Sequence, residues 1–396
     1  MSSTPRLHNI VLQDAAETLD ALQPITLTRA VGAVRIGIMT IREKWAFYIP
    51  AAVSYATSQL LSEKFPTLID EANPDANLFI ASNICPDREV AAAILALAPG
   101  EELWQDTRFI ARRGLEKSGK RVDYAADLLT VDHVYDIFSK NGEALERDFE
   151  VITSGRTSQP LSETCRLVGP ADRLFIEEGA TLECANLNTT HGPIYIGRDA
   201  EVMEGACLRG PIALCPHAVV NMGGKIYGAT TLGPYCKVGG ELNNVVMTGY
   251  SNKAHDGFLG NAVTGEWCNL GAGCTASNLK NTYGEIKLWS MAQGRFVNTG
   301  LQFCGLIMGD HSKAGINTMF NTATTVGVGV NFYGAGFPRT FIPSFVEGSS
   351  AGMRPTTLAR FFETAEKVMA RRHVGLTDAD RTLLTTLFNM AHPATN

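Results

Sequence analysis

IGRDAEVMEGACLRGPIALCPHAVVNMGGKIYGATTLGPYCKVGGELN, residues Ile196 to Asn243, decides the fold. Every sixth residue from Ile196 is aliphatic: Ile196, Val202, Leu208, Leu214, Val220, Ile226, Leu232 and Val238. Two positions before each following member stand Ala200, Ala206, Ile212, Ala218, Gly224, Thr230, Cys236 and Leu242, mostly small. A period of six matches neither the 3.6 of a helix nor the 2 of an isolated strand. It predicts a left-handed parallel β-helix of hexapeptides, each contributing one inward aliphatic, with small residues at the turns.

Outward from this stretch the hexads start weakly at Ile176 and Leu182 and skip two residues near His191-Gly192-Pro193. Phase is lost between Val238 and Phe258, which predicts a looped-out segment containing Tyr250 to Gly257. Register returns at Phe258, Thr264, Leu270 and Ala276, slips through Asn278 to Gln302, and resumes at Met308, Ala314, Phe320, Val326 and Phe332. Interruptions in a regular coil are where function is grafted.

Ahead of the coil the pattern is α/β. Residues 7–13 form an apolar strand, Ala51 to Lys64 has helical spacing, Leu78 to Ala81 is a buried strand, and Val90 to Leu97 a helix. Phe109 to Ala111 reads as a strand and Asp132 to Val151 as two helices. TSGRTSQ, Thr153 to Gln159, is the polar linker, giving domains at 1–155, 165–345 and 353–392. Ile25 to Lys44 carries Arg29, Arg35, Arg42 and Lys44, which suits either an anionic pocket or a solvated strand edge. The last segment holds two amphipathic helices, begun near Thr357 and Thr377, expected to cap the open end of the coil or to dock a partner.

Thirty-four Lys and Arg against 40 Asp and Glu, with no basic run, argue against a nucleic-acid partner. Met1 to Asp14 lacks a signal-peptide pattern and no apolar run approaches the ~20 residues that span a bilayer, so a cytoplasmic protein without membrane attachment is expected. Nine cysteines without a C-x-x-C pair fit neither a disulfide framework nor structural zinc; Cys236, Cys268 and Cys274 fall in small-residue slots and should be buried.

His255 is the first candidate for chemistry, an imidazole beside Lys253 and Asp256 in the predicted interruption. His255-Asp-Gly-Phe-Leu-Gly-Asn-Ala and Asn269-Leu-Gly-Ala-Gly-Cys-Thr-Ala-Ser-Asn278 resemble the acetyltransferase half of the bifunctional bacterial enzyme family that makes UDP-N-acetylglucosamine. The resemblance implies that His255 deprotonates a sugar amine, that Asn269 and Asn278 help bind sugar phosphate and acetyl-CoA, and that Ala272 lies near the thioester. A backbone N–H within Gly271 to Gly273 would hold the oxyanion. Phe258 stands where the family has tyrosine, and Lys225 and Asn243 stand at its phosphate-binding arginine and lysine. Lys253, Lys237 or Arg209 would then supply the missing cation, giving Lys225, Lys253, Asn269 and Asn278 as the substrate-binding set.

The segment from Pro24 to Lys44 resembles the opening of a sugar-phosphate nucleotidyltransferase, which implies nucleotide binding by Arg29, Arg35 and Lys44, and Mg2+ if that half turns over. Its Gly-rich phosphate loop is replaced by Gln13-Asp14-Ala15-Ala16-Glu17. Taken whole, with TIREKW, KVGGE, YSNKAHDGFLG, GEWCNLGAG and SNLKN, the chain is similar to a bacterial family of alternative forms of that bifunctional enzyme. The expected activity is acyl-CoA-dependent N-acylation of an amino-sugar phosphate, with acetyl-CoA as co-substrate, UTP or another NTP in front, and a homotrimeric assembly. Two alternatives stand beside it. A sugar-nucleotide sensor would follow from the missing phosphate loop. A γ-type carbonic anhydrase would need three zinc histidines, yet His191, His217, His255 and His311 show no ligand spacing, and no metal site is expected.

Overall fold

A computed structural model of the chain describes residues 8–393; Met1 to Leu7, which include the first residue of the predicted 7–13 strand, lie outside the described residues. Two compact units emerge. The first takes in residues up to Leu22, Arg29–Val34 and Met39–His133; the second takes in Gln23–Thr28, Arg35–Ile38 and everything from Val134.

The first unit is a six-stranded sheet in the order Ala51–Ala56, His8–Gln13, Asn77–Ala81, Arg108–Arg113, Glu102–Gln105, Arg121–Asp123. The first three strands are parallel and Arg108–Arg113 is antiparallel to Asn77–Ala81. Ala51–Ala56 corrects the helix read there: all six residues pair in register with His8–Gln13, and this pairing holds the segment extended. The cation-rich Ile25 to Lys44 segment is no strand either. It makes two 3-10 turns, Ile25–Leu27 and Val31–Ala33, then helix Ile41–Tyr48, opened by a capping box between Thr40 and Glu43.

The second unit is a parallel β-solenoid with three walls. Wall 1 runs from Leu174–Ile176 to Phe341–Ile342, wall 2 from Thr181–Leu182 to Val346–Ser349, and wall 3 from Arg166–Val168 to Met319–Phe320. All eight aliphatics of the opening stretch are buried in one continuous core. Cys236, Cys268 and Cys274 are buried with them, and all nine cysteines are free thiols.

Nothing loops out at Tyr250 to Gly257. Asn252–Lys253 is a wall 2 strand, paired as Val238↔Lys253, so the chain returns to this wall only 15 residues after Val238. The shortening is absorbed where Glu241–Gly249 bends around an edge without a separate turn, with Asn244 and Tyr250 in left-handed backbone (φ 58° and 51°). Leu259, and not Phe258, therefore points inward, opposite Leu242. The slip after Asn278 is a real insertion: Lys287–Ser290 and Arg295–Asn298 form an antiparallel hairpin, with Trp289 stacked on Phe341 at 4.8 Å.

Between walls 1 and 2 one residue per coil takes the left-handed conformation, and its side chains form a ladder. His217, Tyr235, Tyr250, Trp267 and His311 stack at centroid spacings of 4.5, 5.2, 4.2 and 6.4 Å. The helices Leu358–Ala370 and Asp378–Ala391 dock beside this edge, Phe361 meeting His311 and Phe345, and Phe388 meeting Phe345. The helices thus pack on the last coils through Phe345, and a concavity of about 600 Å3 lined by Phe332, Phe337, Phe341, Ile342 and Met353 lies in the same region.

Wall 1 is covered by helix Asn141–Thr153, whose Leu145 and Phe149 pack on Phe175, Tyr195 and Ala213 together with Ile38. This helix precedes the TSGRTSQ segment yet belongs to the solenoid unit. Adjacent coils approach so closely at the wall 2 to wall 3 edge that Gly257 has φ +120°, and a Cβ there would meet the Cys274 carbonyl oxygen at 2.0 Å. Gly257→Ala is therefore expected to cost on the order of 3 kcal/mol, read as a lower urea midpoint.

Candidate functional site

The edge where wall 2 turns into wall 3 carries His255 and, one coil further, Ala272. Backbone runs against backbone here: Gly239 would place a Cβ 2.5 Å from the Ala254 oxygen, and the Gly273 amide donates to the Asp256 carbonyl at 3.0 Å. That packing leaves the His255 side chain exposed on a rigid ridge. Of the amides from Gly271 to Gly273, Gly271 donates to Ala314 and Gly273 to Asp256. The Ala272 N–H has no such acceptor among the described residues.

Asn269 is exposed on wall 2, between Asn252 on the preceding coil and Lys313 on the next. Lys225 is exposed on wall 3, separated from Phe258 along the outward row by Glu241. It lines a concavity of about 490 Å3 with Asn186, Asn188, Cys207, Arg209 and Tyr227. The Tyr227 hydroxyl donates to Glu241 at 2.5 Å, and this bond, with burial, pushes the phenol up to about 12. Asn278 sits at the other edge of wall 3, its amide donating to Asn261 Oδ1 at 2.8 Å.

Lys253 does not face solvent. The short coil puts it in an inward slot of wall 2, where its ammonium donates to the carbonyls of Gly239 (3.2 Å) and His255. Burial lowers its pKa. It braces the His255 corner from inside. Thus His255, Ala272 and Asn269 come together on adjacent coils, Lys225 and Asn278 flank them on wall 3, and Lys253 lies beneath.

The three cations expected to hold nucleotide are all buried. Arg35 belongs to the solenoid unit, donating from Nε to Thr248 O at 3.2 Å and from Nη1 to Ile38 O. Arg29 and Lys44 are in the first unit. There the carboxyl ends of the three parallel strands converge, the usual ligand position of such sheets, and Asp14 occupies it. Its carboxylate accepts from Thr57 (2.6 Å), Ser82 (2.5 Å) and the Val31 amide (3.3 Å), while burial pushes its pKa up. Beside it Asn83 and Arg108 both donate to Asp132 at 2.8 Å. An acid stands where amides would cradle phosphate.

Lys313 and Asn252, neighbours of Asn269, escaped sequence reasoning. Lys313 holds the same phase as Asn269, but 44 residues separate them because of the inserted hairpin. Aligning the two halves of the interrupted repeat is the signal that finds it.

A family described as sugar nucleotidyl transferase matches residues 10–157. A bifunctional sugar-1-phosphate nucleotidylyltransferase/acetyltransferase from Sulfurisphaera tokodaii is 26% identical over 145 residues, an alignment covering 36% of this chain and 35% of that protein. The chain therefore matches about a third of its relative's length. Residues 10–157 are thus similar to sugar nucleotidyl transferases, and a parallel β-solenoid follows.

Proposed function

We propose that the protein is an acyl-CoA-dependent N-acyltransferase acting on an amino-sugar phosphate in sugar-nucleotide biosynthesis, fused to a sugar nucleotidyltransferase-like domain. One juxtaposition carries the reading: exposed His255 and the free Ala272 N–H occupy one ridge on consecutive coils, with Asn269 on the adjoining strand. His255 takes the proton as the sugar nitrogen attacks the thioester carbon; the N–C bond forms, the C–S bond breaks, and the proton passes to the departing thiolate. The Ala272 N–H faces the charge that gathers on the thioester oxygen.

Lys225 and Arg209 on wall 3 supply cations for the sugar's phosphate. Asn278, tied to Asn261, borders the same surface, which a neighbouring copy would turn into a cleft; a homotrimer in the cytoplasm with acetyl-CoA as co-substrate follows from the resemblance. Thiol release from acetyl-CoA with glucosamine-1-phosphate tests the reading. No release with any amino-sugar phosphate overturns it.

Lys253 acts through His255 as a positioning residue. Lys253→Met is expected to lower kcat about tenfold, since small misplacements of a reacting group cost that much or more, while the His255 limb of the pH–rate profile stays. Loss of that limb would contradict a positioning role.

Asp14 favours a second reading for the first unit, namely nucleotide binding without turnover. Calorimetry with UTP, dTTP and UDP-sugars beside a pyrophosphate-release assay decides: binding without release supports the sensor, and release removes it.

A further inference from the structure

Between wall 2 and the helix Leu358–Ala370 lies a cavity of about 60 Å3 that takes no part in the acyl transfer proposed above. We infer that it is a binding site for one tetrahedral oxyanion, a phosphate group or its equivalent. Lys313, Asn331, Glu347 and Arg360 line it. Lys313, Asn331 and Glu347 are consecutive on the outward row of wall 2, one strand apart, and Arg360 reaches in from the helix.

The cavity holds more cationic donors than acceptors. The half-buried Lys313 ammonium donates to a single protein oxygen, the His311 carbonyl at 2.8 Å, although it has three N–H groups. Burial lowers its pKa, as expected of an ammonium short of a counter-charge. The Asn331 side-chain amide has no acceptor among the described residues. Glu347, the single carboxylate of the lining, is already answered: one of its oxygens accepts from Arg354 Nε (3.1 Å), Arg354 Nη2 (2.9 Å) and Arg360 Nη1 (3.3 Å). Lys313 and Arg360 against Glu347 leave the lining with one excess positive charge. A divalent cation would find one spoken-for carboxylate and be repelled.

Size narrows the ligand. A cavity of about 60 Å3 is small, and its polar lining suits a compact anion such as phosphate or sulfate. Lysine as a point charge, with an arginine fork and an amide, is the donor set such an anion takes. The phosphate could be free or the end of an organic ligand, and Lys313 pairs directly with the Asn269 strand.

The test is a thermal-melt titration of the full chain at constant ionic strength with orthophosphate, sulfate and glucosamine-1-phosphate against chloride, for native protein, Lys313→Met and Arg360→Gln. Native protein should gain about 2–4 °C at roughly ten times the dissociation constant. Both variants should bind at least about tenfold more weakly, and Arg360→Gln, on an exposed helix position, keeps the test valid if Lys313→Met misfolds. A larger shift with the sugar phosphate whose excess is lost in both variants assigns the site to an organic phosphoryl group, and an equal or larger variant-sensitive shift with orthophosphate assigns it to the free ion. No anion-specific shift in native protein, or equal shifts in native and folded variants, overturns the inference. The thiol-release assay plays no part, so the two proposals fail separately.

Discussion

His255→Ala should lower kcat for acyl transfer by about 10²–10⁴-fold, the usual contribution of a positioned general base, with KM changed far less. The side chain is exposed on the ridge, so its removal opens no core cavity, and stability should stay within about 0.5 kcal/mol of native. That separation makes the variant informative. A general base also gives the rate a pH limb, and the limb should vanish in the variant. Activity within threefold of native, with the limb intact, would remove His255 from the chemistry and leave the solenoid half without a base.

The coil was legible because its period is enforced by an enclosed core: every aliphatic of the opening stretch is buried, as the hexads require. The local bookkeeping around the site was not legible, because the chain varies its coil length at the edges and not in the walls. An asparagine in left-handed backbone at Asn244 lets a strand turn the edge directly. The next inward slot then falls on Lys253, a residue no aliphatic pattern would select. Counting hexads across that point makes a loop of what is a wall strand and turns Phe258 inward in place of Leu259. His255 stood out in the sequence through the family motif that its neighbours resemble, whereas Lys313 was hidden by the hairpin inserted between it and its phase partner. In the first unit, alanine-rich Ala51–Ala56 is helical by local preference and extended by pairing, and tertiary contacts win.

The protein should lose stability steeply above pH 9, and the buried thiols are the cause. Burial pushes Cys236, Cys268 and Cys304 up to about 12 from an ordinary 9, and Cys274 in the same direction. A raised folded pKa means that the stabilisation is complete below 9, where both states keep the proton. It is lost as pH climbs towards the folded value, because the unfolded chain releases protons that the fold retains. Each thiol then costs about 1.4 kcal/mol per pH unit. Lys253 and Lys313 work the other way: their folded pKa values are lowered, so the unfolded chain holds the extra proton and stability rises until about 10.5. The three thiols held near 12 set a falling slope above pH 9.5, which Cys274 adds to and the two ammoniums oppose. Beyond pH 10 the loss steepens as Tyr55 and Tyr227, both pushed up to about 12, join in. Urea midpoints at pH 8, 9, 9.5 and 10 under reducing conditions measure the slope. Cys304→Ala isolates one contributor, since desolvation alone shifts that thiol, and should flatten the slope by about 1.4 kcal/mol per unit whatever it does to stability at pH 8. A slope unchanged in this variant would remove Cys304 as a contributor, and stability rising through pH 9.5 would show that the lowered lysines outweigh the raised thiols.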